Sequence, residues 1–330
     1  MSVSDVSVLL LTGASGLLGQ QIALALADSV GSGRLWVASR TPSASAVAGL
    51  AALSSRQLAI DLADPALELP ANIGTLIHAA GEKSDPVRMT AVNHTGTRRL
   101  AEAAARAGVR RFVHVSSVGV YGAGARAGSV DPSFPKHPRN LYESSKAAGE
   151  ASVREVCNRS GMEWVVLQPS NVVAALAVHA APLLGLLSAI QRRRFTWFGA
   201  GDGWLNYIAV EDVAAAVVEA ALHGPADATF ILNTPQRLEQ VVQWCVQLLA
   251  LPVPSRRVPL WAGRAAAGVG DAAASLGWSL PLDSNRLREL TTTTHYDGSA
   301  LHRATGFEYP LGVQAMLARL IGRYRREGRL

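Results

Sequence analysis

Lysine and cysteine are the scarce residues of this 330-residue chain. Only three of its 31 basic residues are lysines (Lys83, Lys136 and Lys146), and the arginines are scattered rather than gathered on one periodic face. A net charge of +6 spread in this way gives no stripe for a nucleic-acid backbone, so no nucleic-acid partner is expected. Two cysteines, Cys157 and Cys245, exclude a disulfide scaffold and any cysteine-based zinc site. No metal site is expected, and a reducing compartment suits the composition. Charged residues make up only 17% against 49% apolar, which excludes a mostly disordered chain and provides for a sizeable core. Residues 1–5 lack the basic segment of a secretory signal, and the apolar run 8–11 is only strand length, so a cytoplasmic protein is expected. The apolar stretch 172–190 is broken by His179, Pro182 and Gly185 and followed by Arg192-Arg193-Arg194. A spanning helix needs about 20 predominantly apolar residues, so this stretch reads as a buried segment, without stable membrane insertion.

What is abundant is alternation. Short continuous apolar runs at 8–12, 34–39, 57–60, 75–78, 111–116 and 164–168 predict strands buried on both faces. Between them, Ala-rich stretches at 17–27, 95–107 (closed by Gly108) and 142–158 (closed near Gly161) predict helices. Such alternation implies an α/β fold, a doubly wound parallel sheet with helices on both faces. A strand and helix over 207–222 and a strand over 229–232 look like a return to that sheet. The expected division is a dinucleotide-binding domain over 1–170, with 206–234 returning to it. A smaller, mainly helical substrate lobe is expected from 171–205 and 235–330, closing over the carboxyl edge where open α/β sheets bind ligands.

The first strand runs into Thr12-Gly13-Ala14-Ser15-Gly16-Leu17-Leu18-Gly19. Gly13 permits the tight turn, Gly16 lets backbone approach a pyrophosphate at the helix N-terminus, and Gly19 lets helix pack on sheet. The second strand ends at Ser39-Arg40, where a carboxylate for a ribose hydroxyl would be placed and none stands. A guanidinium there suits a 2′-phosphate, so NADP is expected, with NAD as the alternative. Asp61 ends the third strand, where it is placed either to reach an adenine amine or to cap a turn.

Tyr142 and Lys146, four residues apart in Tyr142-Glu143-Ser144-Ser145-Lys146, share one face of a helix. A phenol titrates near 10 and is a poor base at neutral pH, so a neighbouring ammonium is expected to lower it into a usable range. Ser116-Ser117 closes the fifth strand at the ligand edge. Asn93 precedes a helix and is placed to cap it or to hold a relay water. His78 and His114 lie within strands and read as satisfied core histidines, outside catalysis.

Taken together these residues resemble the extended short-chain dehydrogenase/reductase family, which contains nucleotide-sugar epimerases, dehydratases and reductases. TGASGLLG is similar to its glycine motif, His78-Ala79-Ala80-Gly81 to its fourth-strand motif, and Asn93-His94-Thr95-Gly96-Thr97 to its Asn-x-x-Gly-Thr helix start. VSSVGVYG at 115–122 resembles the serine strand, YESSK the Tyr-x-x-x-Lys pair, and QPSNVV at 168–173 and NYIAVEDVA at 206–214 two landmarks of the substrate lobe. The resemblance implies a Rossmann sheet and hydride transfer, with Tyr142 relaying the proton. Lys146 would bind the nicotinamide ribose, Ser117 would hold the substrate oxygen, and Asn93 would be a further active-site polar group. The cofactor-binding set it implies is Gly13, Ser15, Gly16, Leu17, Gly19, Arg40, Asp61, Leu62, Ala79, Ala80, Lys146 and Pro169.

Departures narrow the reaction. The family's sugar 4,6-dehydratases carry Thr-Asp-Glu where this chain reads Ser117-Val118-Gly119, so no carboxyl group stands ready to remove a proton beside a carbonyl. Leu205 and Gln168 replace arginines common among the sugar-nucleotide enzymes, while Trp197, Phe198, Trp204 and Tyr207 suit an apolar substrate or a core. The expected function is therefore an NADP-dependent ketone or aldehyde reductase, or the reverse alcohol dehydrogenase. An NAD-dependent nucleotide-sugar 4-epimerase is the alternative within enzymes, and a non-catalytic NADP-sensing protein the alternative of another class. The expected partners are a small carbonyl or alcohol substrate and, by family analogy, a second copy in a homodimer.

Overall fold

The computed structural model describes residues 8–41, 52–122, 128–175, 181–278 and 280–330. The elements that carry the site are β1 (Val8–Thr12), α1 (Leu17–Val30), β2 (Leu35–Ser39), β3 (Arg56–Ala59), β4 (Ile73–His78), α2 (Thr97–Arg106), β5 (Arg111–Val115), α3 (Leu141–Ser160), β6 (Glu163–Pro169), α4 (Val210–Leu222) and β7 (Ala228–Leu232). The seven strands form one sheet in the order β3-β2-β1-β4-β5-β6-β7, with every neighbouring pair parallel. This is the doubly wound α/β sheet that the alternation predicts. Strand order reverses between β1 and β4, so a crevice opens beyond their carboxyl ends.

Continuous apolar strands are what two covered faces require. Leu9, Leu11, Ile77, Val113 and Leu167 pack with Ile22, Ala23, Leu26 of α1 and Val213, Val217 of α4. The alternate residues Leu10, Leu76 and Phe112 face the opposite way, against Leu100, Ala104 of α2 and Val153, Val156 of α3. A single side chain such as Leu10, fully buried, contributes about 2 kcal/mol by leaving water.

Two sequence expectations are corrected in detail. The strand Tyr207–Ala209 does not rejoin the sheet; it pairs in parallel with Asn171–Val173, while α4 and β7 do return. Asn93 does not cap a helix, because the helix expected over 95–107 starts as a π-helical turn, Ala91–Gly96, and α2 has no side-chain cap. Of the 172–190 stretch, 172–173 belong to the strand Asn171–Val173 and 181–190 to the helix Ala181–Gln191, whose Leu183, Leu187 and Ile190 are buried in a second core with Trp197 and Tyr207. Those two aromatics are therefore core, not substrate contacts. Among the described residues no helix is long and apolar enough to cross a membrane.

The second lobe is stitched to the carboxyl ends of β6 and β7 by a buried amide network. Ser170 Oγ donates to Asn233 Oδ1 at 2.7 Å, and Asn233 Nδ2 donates to Asn206 Oδ1 at 3.0 Å and to the Tyr296 carbonyl at 2.9 Å.

A second polar group lies inside the sheet. His78 shares hydrogen bonds with Thr12 Oγ1 (2.8 Å) and Thr97 Oγ1 (3.0 Å) and stacks on His114 at 5.2 Å, both rings fully buried. Burial, reinforced by the Lys146 charge, pushes His78 down to about 3 and His114 well below its usual value. The folded state therefore holds both rings neutral while the unfolded chain takes up protons near 6.5. Stability is fully present above that pH and is lost as pH falls, by up to about 1.4 kcal/mol per unit per histidine. Denaturant unfolding at pH 7 and pH 5 should show this loss, and His114→Phe should reduce its slope.

Candidate active site

The glycine turn is built by backbone contact. Gly13 has φ +77°, and a Cβ there would lie 2.5 Å from the Ala80 nitrogen. A Cβ on Gly19 would lie 2.1 Å from the Gly13 carbonyl oxygen, so its part is to let α1 pack against the turn. Gly13 N donates to the Ala38 carbonyl at 3.1 Å and Ala79 N to the Thr12 carbonyl at 3.2 Å. These bonds tie the ends of β1, β2 and β4 around the crevice.

That crevice encloses about 170 Å³. Gly13, Ser15, Gly16, Arg40, Asp61, Leu62, Ala79 and Ala80, eight of the expected cofactor residues, line it. Leu17, Gly19, Lys146 and Pro169 do not. Pro169 instead ends β6 opposite Leu232. Sequence reading missed Ser39, Gly81 and Glu82, which also line the crevice. The Ser39 hydroxyl is buried without a hydrogen-bond partner, as a group waiting for a ligand hydroxyl would be. With bare glycine backbone at a helix N-terminus beside it, the crevice fits the pyrophosphate and ribose of a dinucleotide. Asp61 has a turn role as well, since its Oδ1 accepts from Ala63 N at 3.0 Å.

Glu82 had no signal beyond its place after the fourth-strand motif. Its Oε1 accepts from the backbone of Lys83, Ser84 and Asp85, and these bonds, Ser84 first, hold the carboxyl below its usual range, with Arg40 adding a smaller pull.

Beside the crevice stand the residues expected to react. Helix α3 starts at a reciprocal cap: Asn140 Oδ1 accepts from Glu143 N at 2.9 Å, and Glu143 Oε2 accepts from Arg139 N at 2.7 Å. This fixes the first turn, which carries Tyr142. The phenol is hydrogen-bonded to Ser117, whose Oγ also accepts from Gly119 N at 3.1 Å. One turn on, Lys146 is buried and its Nζ donates to the Val115 carbonyl at 2.7 Å. Asn93 is buried between Glu82 and α3. Its Oδ1 accepts from Glu82 N (2.8 Å), and its Nδ2 donates to the Glu82 carbonyl (2.7 Å) and to Ser145 Oγ (3.0 Å). Gly149 makes this possible, because a Cβ there would lie 2.4 Å from the Asn93 carbonyl oxygen. Asn93 and Lys146 converge on Gly81, whose added Cβ would meet Asn93 Oδ1 at 3.3 Å and Lys146 Nζ at 3.7 Å.

The electrostatics differ from expectation. Burial raises the Tyr142 phenol above its usual value, with the Ser117 hydrogen bond pulling the other way; Lys146 does not lower it here. Desolvation disfavours the phenolate, and the Lys146 ammonium is committed to the Val115 carbonyl. Lys146 itself is pulled down to about 8 by burial, opposed by Glu150. Glu150, fully buried one turn beyond Lys146, is ion-paired with Lys136 and accepts from Gln168 Nε2 at 2.9 Å. Gln168 in turn accepts from the Tyr121 hydroxyl at 2.6 Å. Glu150 stands four residues after Lys146, a helical spacing that the sequence itself displays.

The sequence profile of the NAD dependent epimerase/dehydratase family matches residues 9–232, and the chain belongs to that family. Among curated relatives, a 4-hydroxy-2-methyl-3-oxo-4-farnesyl-3,4-dihydroquinoline-1-oxide ketoreductase of Stigmatella aurantiaca is 28% identical over 269 residues, 79% of this chain and 78% of that protein. A dTDP-D-glucose 4,6-dehydratase of Mus musculus is 32% identical over 163 residues, but the match spans 49% of this chain and 45% of that enzyme. The solved structure of gox2253 superposes with a TM-score of 0.73 at 22% identity, covering 98% of this chain and 99% of that one. The family is NAD dependent, so the cofactor class of this chain is a nicotinamide dinucleotide.

Burying an ammonium has a thermodynamic signature. The native state holds Lys146 near 8 and the unfolded chain near 10.5, so the unfolded chain binds more protons between these values and stability rises with pH across that window. Below pH 8 the full penalty stands, about 3 kcal/mol, net of the opposing Glu150 charge. Lys146→Met should therefore raise stability at pH 7 by roughly 2 kcal/mol, with the gain disappearing above pH 10.5, as measured by denaturant unfolding.

Proposed function

We propose that this chain is an NADP-dependent reductase of small ketones or aldehydes, operating in reverse as an alcohol dehydrogenase. The observation that carries the reading is the convergence of Ser117, Tyr142, Lys146 and Asn93 beside the dinucleotide crevice, with no free carboxylate in the serine turn. The carboxylate beside that turn, Glu143, caps α3 by accepting from Arg139 N, so it is not free to shuttle protons as a dehydratase would need. The long match to a ketoreductase supports the same direction.

The nicotinamide, when bound, gives a hydride to the carbonyl carbon or takes one from the alcohol. Ser117 hydrogen-bonds the substrate oxygen and orients it toward the Tyr142 hydroxyl. Because burial holds that phenol in its neutral form, Tyr142 is loaded to give its proton to the oxygen as the carbonyl becomes an alcohol. Lys146, anchored by Val115, reaches the ribose side of the crevice near Gly81. Asn93 acts by position, clamping the Gly81–Glu82 backbone to α3. Arg40 at the end of β2 supports the choice of NADP, since it lines the crevice where an acid would select NAD.

Two outcomes follow. Titration should give tighter binding of NADPH than of NADH, and Arg40→Ala should remove about tenfold of that preference; equal affinities would reassign the cofactor to NAD. Tyr142→Phe should keep NADPH binding and lower turnover with aldehyde or ketone substrates by at least about a hundredfold. Retained turnover would take the proton step away from Tyr142. Interconversion of nucleotide-sugar epimers without net consumption of NADPH would instead favour the epimerase.

A further inference from the structure

Among the described residues nine large apolar side chains are exposed, and six of them fall within residues 253–280. Their distribution on the helix Leu260–Ser275 is the reverse of the usual one. Its buried side is made of Gly263, Ala267 and Gly270. A Cβ on Gly263 would lie 2.7 Å from Phe198 and one on Gly270 1.9 Å from the Leu282 carbonyl oxygen, so only small residues fit there. Its outer side carries the bulk. Trp261 is 73% exposed, Val269 62%, and Leu276 and Trp278, just beyond the helix end, 79% and 73%. Trp261, Ala265, Val269, Ala272 and Leu276 fall on one stripe at helical spacing.

Arginines cluster around this stripe. Arg264 is exposed on the helix, and Arg256 just before it. The strand Arg257–Val258 pairs in parallel with Trp197–Phe198, which brings the exposed turn Arg192-Arg193-Arg194 into the same corner of the lobe. None of these five arginines forms an ion pair among the described residues. The acid on the helix, Asp271, is engaged by the Ser284 hydroxyl and backbone.

We propose that this corner is a membrane-surface docking face that seats the protein on anionic lipid. Tryptophan favours the headgroup boundary, an apolar helix stripe sinks about 5–10 Å into it, and arginines at its rim meet anionic headgroups. A second copy docking face to face on the same patch would bring guanidinium groups toward their own counterparts, a like-charge arrangement that membrane docking avoids. The helix lies along the surface, since no described helix is long and apolar enough to cross a membrane. The inference does not rest on the reductase reading.

The test is co-sedimentation of the full chain with vesicles of phosphatidylcholine alone and with equimolar phosphatidylcholine and phosphatidylglycerol. Binding should be confined to the anionic vesicles and weaken as salt rises. The double substitution Trp261→Ser and Trp278→Ser, both on exposed side chains, should weaken binding by at least about tenfold, as should Arg192→Gln with Arg194→Gln and Arg256→Gln. An unchanged unfolding midpoint in each variant separates lost docking from lost folding. Absence of vesicle binding, or binding indifferent to the tryptophans, would overturn the proposal. Concentration-dependent self-association abolished by the tryptophan substitutions would reassign the face to a second copy.

Discussion

The candidate site depends on one close approach of backbone to backbone. At the strand-order reversal the turn after β1 passes so near the turn after β4 that a methyl group on Gly13 would sit 2.5 Å from the Ala80 nitrogen. Without that approach β1 and β4 could still pair, but the crevice floor would be filled by side chain instead of peptide groups. A floor of peptide N–H groups at a helix N-terminus suits a phosphate, because the donors and the dipole are fixed before the ligand arrives. The positive φ of Gly13 is compatible with this only for glycine.

A second close approach sets the chemistry. Gly149 lets α3 lie against the carbonyl of Asn93, and from there Asn93 reaches across to Glu82 and Ser145. The same helix brings Lys146 into the interior, where its ammonium is costly to keep. Two interactions offset that cost, the Val115 carbonyl and the Glu150 charge, and Glu150 is in turn held by Lys136 and Gln168. Two of the three lysines in the chain thus serve this one buried network, and neither is a solvated surface charge. The histidines inside the sheet feel the same ammonium, which adds to burial in keeping His78 and His114 neutral.

Much of this was legible in the sequence because local rules and global fold agree. Apolar runs located the strands of the sheet to within a residue or two, though edge strand β3 is half exposed instead of buried on both faces. What was not legible depends on long-range contact. The π-helical turn at 91–96 has no period to announce it, so Asn93 read as a cap or as the holder of a relay water. Glu82 joins the crevice because Asn93 holds its backbone from eleven residues away. The phenol's electrostatics could not be read from the Tyr-Lys spacing, since burial is a property of the assembled site and it dominates the Tyr142 shift. Trp197 and Tyr207 read equally as substrate contacts or core, and only packing decides for core.

The second lobe shows the same separation of local and global information in its surface. A lobe short of apolar side chains would recruit its tryptophans first, because they remove the most area from water. Here the core is built from Leu183, Leu187, Trp197, Val242, Leu317 and Tyr324, all buried. Helix Leu260–Ser275 packs beside it through glycine and alanine and leaves Trp261 and Val269 outside. Turning the helix by half a turn would bury that bulk but would set it against Phe198 and the Leu282 carbonyl, where even a methyl group does not fit. The outward orientation is therefore fixed by the inner contacts. The exposed apolar stripe is a built feature of the fold, and it stands beside the positive charge of the arginines at 192–194.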